Sequence, residues 1–270
     1  MARRRGNRKQ YASQTNWLAI IGSALLVIAV AAMAIVSGLS ETDSFNEDTL
    51  CLDGQSYSAV LGVLIDSTDS FPAAPAAKTY QKVVAEVDSL PSNSLIQIYK
   101  IEGSSGQLAE PIITICKPDD GKESNPWTEN PQFVRSTYTG RFLQPFQSTL
   151  KTLMNEEAAS ESPIIESIQA ASINLFLSNA DVSDKRLIIA SDFLQHSNLY
   201  SMYESKPNFE DFRKSSLTSP IGLVDLDEAD VSLFVIPRRV PVGDRSNLVR
   251  FWGEFLAGSN ASLGSTVEPL

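Results

Sequence analysis

Asp66-Ser67-Thr68-Asp69-Ser70 follows directly on the apolar run 59–65, AVLGVLI. At alternate positions, Asp66, Thr68 and Ser70 offer a carboxylate and two hydroxyls. This small oxygen-only set suits Mg²⁺, Mn²⁺ or Ca²⁺ rather than a soft metal. The same residue types also make an Asx turn whose Ser and Thr cap a following helix. Asp69 either adds charge for an ion or caps that helix. Two later positions carry compatible chemistry. Ser191-Asp192 closes the apolar run RLIIA at 186–190, and Ser162 stands before Pro163-Ile164-Ile165. Ser162 also reads as an N-cap, since Pro is favoured at the first helical position. His196 is the single histidine and lies four residues after Asp192, so it is either a ligand or a solvated loop side chain. With no second histidine and no close cysteine pair, no zinc site can be assembled.

These residues need strands to carry them. An apolar run with β-branched residues, bounded by turn formers, is a strand buried on both faces, as in a parallel sheet. In open α/β sheets, ligands sit beyond the carboxyl ends of such strands. Residues 73–90 are Ala-rich, with Tyr80, Val83, Val84 and Val87 at helical spacing. The alternating segment 95–101 and the short segment 112–116, joined by a Gly/Ser turn, predict an antiparallel hairpin. Residues 117–138 form a long polar stretch, with Pro118, Pro126 and Pro131, that reads as an ordered loop or a flexible excursion. Helices follow over 139–155, interrupted by Pro145, and over 163–177; strands follow over 186–190 and 231–236. Between those strands, 199–217 carries one short helix, and its Tyr200, Met202 and Tyr203 form a partner surface or cover a core edge. Residues 245–257 form an amphipathic helix with Asp244 as N-cap and Leu248, Phe251, Trp252 and Phe255 on its apolar face.

Connectivity alone gathers the candidates. With right-handed crossovers, strands 59–65, 95–101 and 186–190 all end at the same edge of the sheet. The helix over 139–155 climbs to that edge, bringing Ser162 there too. Asp66, Thr68, Ser70, Ser162 and Asp192 therefore converge.

The N-terminus has another character. Trp17 to Val36 contains no charge over twenty residues. At about 1.5 Å per residue that spans a hydrocarbon core of roughly 30 Å. The run is longer than the apolar region of a cleaved signal peptide, so an uncleaved anchor is expected. Arg3, Arg4, Arg5, Arg8 and Lys9 before it suit the cytoplasmic side. Formal net charge is −10; those five cations contribute +5, so the rest carries −15. Such a surface repels phosphate and argues against nucleic acid as a partner.

Known enzyme motifs fit poorly. An aspartyl-phosphate phosphatase of the haloacid dehalogenase type needs an acid where Thr68 stands. There is neither a G-x-x-x-x-G-K-[ST] loop nor a G-x-S-x-G elbow, and a Ser-His-Asp set would have to use His196. A binding protein, not an enzyme, is expected.

The order strand, helix, hairpin, helix, helix, strand, helix, strand, helix resembles that of a von Willebrand factor type A domain, over about residues 57–258. Asp66-Ser67-Thr68-Asp69-Ser70 resembles that family's D-x-S/T-x-S metal motif. Ser191-Asp192 resembles its later T-D-G motif, with Phe193 where the family usually has Gly. Ser162 resembles the hydroxyl residue between them. The resemblance implies an α/β fold, Rossmann-like and three-layered, with a mostly parallel sheet and one antiparallel edge hairpin strand. It implies a metal-ion-dependent adhesion site made by Asp66, Thr68, Ser70, Ser162 and Asp192. Such a site holds Mg²⁺, or else Mn²⁺ or Ca²⁺, and leaves one position for an acidic residue of a protein partner.

The expected organisation is a basic cytoplasmic segment at 1–16, a transmembrane anchor at 17–37, a tether at 38–56, the domain at 57–258 and a flexible tail at 259–270. The domain lies outside the cytoplasm, in the periplasm if the source is bacterial. There disulfides persist. Cys51 precedes the first strand and Cys116 ends the descending hairpin strand, so both lie at the lower edge and are expected to pair. The expected role is protein binding within a membrane complex. The alternatives are a structural subunit with a vestigial metal site and, third, a metal-dependent hydrolase.

Overall fold

A computed structural model describes residues 12–38, 44–68, 71–103, 109–122, 130–155, 161–203, 206–216, 224–236 and 245–269. The chain divides into two units, Met1–Ser44 and Phe45–Leu270. The first contains helix α1, Ala12–Gly38, of 27 residues. Within it, side chains are described for Trp17 and for 20–33, all exposed. Taken over the described residues alone, no helix is long and apolar enough to cross a membrane.

Among the described residues, the second unit is built on a six-stranded sheet. Its strands are β1 (Val60–Asp66), β2 (Leu95–Ile101), β3 (Ile113–Cys116), β4 (Lys185–Ser191), β5 (Asp230–Val235) and β6 (Ser262–Pro269), in the spatial order β3-β2-β1-β4-β5-β6. All pairings are parallel except that of β3 with β2. The protein is therefore α/β, with a mostly parallel sheet and one antiparallel edge strand. Period-2 alternation sends successive β1 side chains to opposite faces. Val60 and Leu64 join the core beneath α5 (Ile164–Ala171), α6 (Phe209–Ser216) and α7 (Arg245–Gly258). Leu61, Val63 and Ile65 join the core beneath α2 (Ala73–Ser89) and α4 (Gln144–Asn155). Both faces are covered, which is why β1 reads as continuous apolar sequence. Gly62 is a point of close approach: a Cβ there would lie 2.9 Å from Leu187 Cδ1.

Four segments differ from the sequence expectation. Residues 117–138 do not form one long loop. Helix α3, Pro131–Thr137, begins within them, with Asn130 accepting from the amides of Gln132 and Phe133 and Pro131 in its first turn. Nor does Pro145 break the next helix. A π turn, Tyr138–Leu143, leads from α3 into α4 immediately before it. Its wider i→i+5 pitch accommodates the ring and the missing N–H of proline. Tyr138, Phe142 and Phe146 then stack along the helix, with ring centroids 5.4 and 6.2 Å apart.

The tail expected to be flexible at 259–270 instead supplies β6, parallel to β5. An edge strand needs backbone bonds to only one neighbour, so few apolar residues mark it. Gly264 permits the approach, since a Cβ there would fall 2.1 Å from Asp230 Oδ1. The expected tether is likewise structured from residue 45 onward. Phe45 bridges to Leu52, and Arg141 donates to the Glu47 carbonyl at 2.6 Å. Cys51 and Cys116 form the expected disulfide, closing a span of 65 residues. The expected N-cap Asp244 lies outside the described residues.

Candidate functional site

β1 ends in a buried carboxylate. Asp66 is 4% exposed and receives donors from three chain segments. From its own turn, Thr68 donates through its amide (3.1 Å) and hydroxyl (2.6 Å) to Oδ1. From the residue before Pro163, the Ser162 hydroxyl donates to Oδ2 at 3.1 Å. From the end of β4, the Ser191 hydroxyl donates to the same oxygen at 2.5 Å. Thr68, Ser162 and Ser191 are themselves buried. A buried polar group needs hydrogen-bond partners, and both oxygens of this carboxylate have them.

Register explains Ser191. β1 and β4 pair in parallel with Ile65 opposite Ala190, so the next step sets Asp66 beside Ser191 on one face. Asp192 follows the end of β4, and its Oδ1 accepts from the Leu194 amide at 2.9 Å. The β4 residue that donates to Asp66 is thus one that sequence reasoning left out of the ligand set. The signal was available: the two seven-residue strands align end to end, and β alternation does the rest. Ser162 goes to Asp66 rather than capping α5, whose N-cap position is Pro163. Ser67 is turned away and donates to the Leu153 carbonyl at 3.0 Å, fastening the end of β1 to α4. Ser70 and Asp69 lie outside the described residues.

No family model matches this chain, and a search of the curated proteins finds no match either.

His196 is half-buried rather than solvated. Its Nδ1 lies 2.9 Å from the Ser201 hydroxyl, and its ring meets Tyr203 edge-on at 5.2 Å. Its backbone makes a two-bond bridge with Ser162, at 2.8 and 2.9 Å. Tyr200 and Met202 cover a core edge, the former stacked 5.6 Å from Phe251, while Tyr203 is exposed.

Phe193 has φ of +62°. That left-handed conformation costs a non-glycine residue roughly 1–2 kcal/mol. It is held from three sides. Its amide donates to Ser191 Oγ at 2.9 Å, and its carbonyl accepts from Trp252 Nε1 at 2.9 Å. Its buried ring packs edge-on to Trp252 at 5.5 Å. Ser191 Oγ therefore accepts from Phe193 while it donates to Asp66, which fixes the direction of its proton.

The converging donors are all hard oxygens, the set a small divalent cation prefers. Among the described residues, no group of three or more His, Cys, Asp or Glu is placed to hold a metal ion. What the cluster offers is one carboxylate and three hydroxyls.

Proposed function

We propose that this chain is a membrane-anchored, extracytoplasmic protein-binding module of the von Willebrand factor A type, and that it binds rather than catalyses. The observation that carries the reading is the Asp66 carboxylate, which draws hydroxyls from the β1 turn, the approach to α5 and the end of β4. Those are the three places from which the adhesion-site resemblance takes its ligands. The mostly parallel sheet with one antiparallel edge strand also supports the reading. Asp66, Thr68, Ser162 and Ser191 would hold Mg²⁺ or a similar ion, with Ser70 and Asp192 as further candidates. When bound, the ion supplies an open position for a carboxylate of the partner protein.

The anchor is proposed on the uncharged run from Trp17 to Val36, which lies within the 27 residues of α1. The Cys51–Cys116 disulfide supports an oxidising compartment for the domain.

One observation favours a second reading, a structural subunit with a vestigial site. Both oxygens of Asp66 already accept protein donors, and the cluster is nearly closed to solvent. Thermal unfolding of the full-length protein in mild detergent separates the two. An ion that binds only the folded state, at about 100 times its Kd, stabilises by roughly 2.7 kcal/mol. For a domain of this size that raises Tm by about 5–10 °C. The adhesion-site reading expects that rise with Mg²⁺ or Mn²⁺ and its loss in Asp66→Asn. A wild-type Tm indifferent to both ions refutes the adhesion site and leaves the vestigial one.

A further inference from the structure

We infer that Gln195 is a positioning residue for the Asp66 cluster: from the segment after β4 it locks the start of α5 and so holds the Ser162 hydroxyl against the carboxylate. The side chain is wholly buried. Its Oε1 accepts from the Ile165 amide at 2.9 Å. Its Nε2 donates to Glu166 Oε2 at 3.0 Å and to Ser197 Oγ at 2.9 Å. The first amides of a helix have no partner within it. Here the N-cap position is Pro163, which makes no side-chain cap. Gln195 therefore caps α5 from a different part of the chain.

The neighbouring residue completes a clamp. His196 exchanges both backbone hydrogen bonds with Ser162. Ser162 is thus gripped on one side through its backbone and on the other through the helix that starts two residues later. Its hydroxyl reaches Asp66 at 3.1 Å, the longest of the three hydroxyl contacts. A buried amide with an acceptor and two donors all engaged fits only one orientation. Methionine would fill the space and supply no hydrogen bond. Glutamate would keep the acceptor but place a second carboxylate against Glu166. Exchanging the two, Gln195→Glu with Glu166→Gln, restores donor to acceptor with the polarity reversed.

The inference rests on the adhesion-site reading only for its consequence in ion affinity, so two readouts are needed on the full-length protein in mild detergent. Hydrogen exchange followed by mass spectrometry on peptides covering 161–166 and 193–198 reads the clamp itself. Mg²⁺ titration reads the consequence. Gln195→Met and Gln195→Glu are each expected to speed exchange in both peptides at least tenfold, with peptides of α2 unchanged. Both are expected to weaken Mg²⁺ binding about tenfold. The Q195E/E166Q pair is expected to restore both, and it keeps the test open if Q195M does not fold. Wild-type exchange in Q195M, or an exchanged pair no better than Q195E, overturns the inference. If the wild type takes up no Mg²⁺ while the exchange pattern is as expected, the positioning role stands and the adhesion-site reading falls.

Discussion

The backbone of Phe193 can be tested by reversing a familiar order of stability. At an ordinary buried site, Phe→Gly is worse than Phe→Ala by roughly 0.5–1 kcal/mol, because glycine loses more conformational freedom on folding. Both changes lose the ring, which is 2% exposed and packed on Trp252. That loss costs about 3–5 kcal/mol. At φ of +62°, however, alanine keeps the left-handed strain and glycine removes it. The relief is about 1–2 kcal/mol. Set against the entropic cost, Phe193→Gly should equal Phe193→Ala or exceed it in stability by up to roughly 1.5 kcal/mol. Urea unfolding of the two variants, compared at constant m, measures the difference directly. If Phe193→Gly is the less stable by a full kcal/mol, the residue is not strained and the account of how Ser191 is oriented loses its support.

Removing the disulfide as Cys51→Ala/Cys116→Ala should cost on the order of 4 kcal/mol in the chain-entropy model for a loop of 65 residues; urea midpoints report it, and thiol labelling of the unreduced, denatured wild type should find no reactive cysteine. Alkaline unfolding should set in above about pH 10. Burial raises the Tyr99 phenol, and burial followed by the hydrogen bond to Asp88 raises that of Tyr138. The unfolded state then releases those protons first, so stability is full below pH 10.0 and falls as pH rises past it. Burial lowers Lys117, which acts in the opposite sense by favouring the fold as that lysine deprotonates. Tyr99→Phe and Tyr138→Phe should each flatten the alkaline limb of a stability–pH curve, and an unchanged limb in both would refute the assignment.

The parts of the fold that were legible are those in which one pattern answers to one cause. β1 and β4 are covered on both faces, so they appear as unbroken apolar runs. α2 buries a single stripe, seen in Val83 and Val87. The disulfide followed from direction alone, since a hairpin strand must descend to the edge where Cys51 waits. Other elements were hidden for equally specific reasons. β6 takes its place by backbone pairing at an edge and carries little apolar sequence. α3 announced itself through Asn130-Pro131, a cap followed by a favoured first residue, but the surrounding polar stretch outweighed it. At the site, Asp66, Thr68 and Ser162 could be read from residue type and connectivity. Ser191 required the register between two strands. Gln195 carries no periodicity and no motif; its importance comes from the three groups that surround it in the folded chain.

The closed loop between Cys51 and Cys116 also determines what the protein does under load. The disulfide short-circuits the chain, so tension applied at residue 45 passes from Cys51 straight into Cys116 and on along the rest of the polypeptide. The residues it bypasses, 52–115, include β1, α2 and β2, and Asp66 lies among them. They cannot be drawn out while the bond holds. At roughly 3.4 Å per residue, some 220 Å of contour is withheld from any extension. β1, which carries the Asp66 carboxylate, can lose its neighbour β4, yet it stays on a ring that pulling does not open.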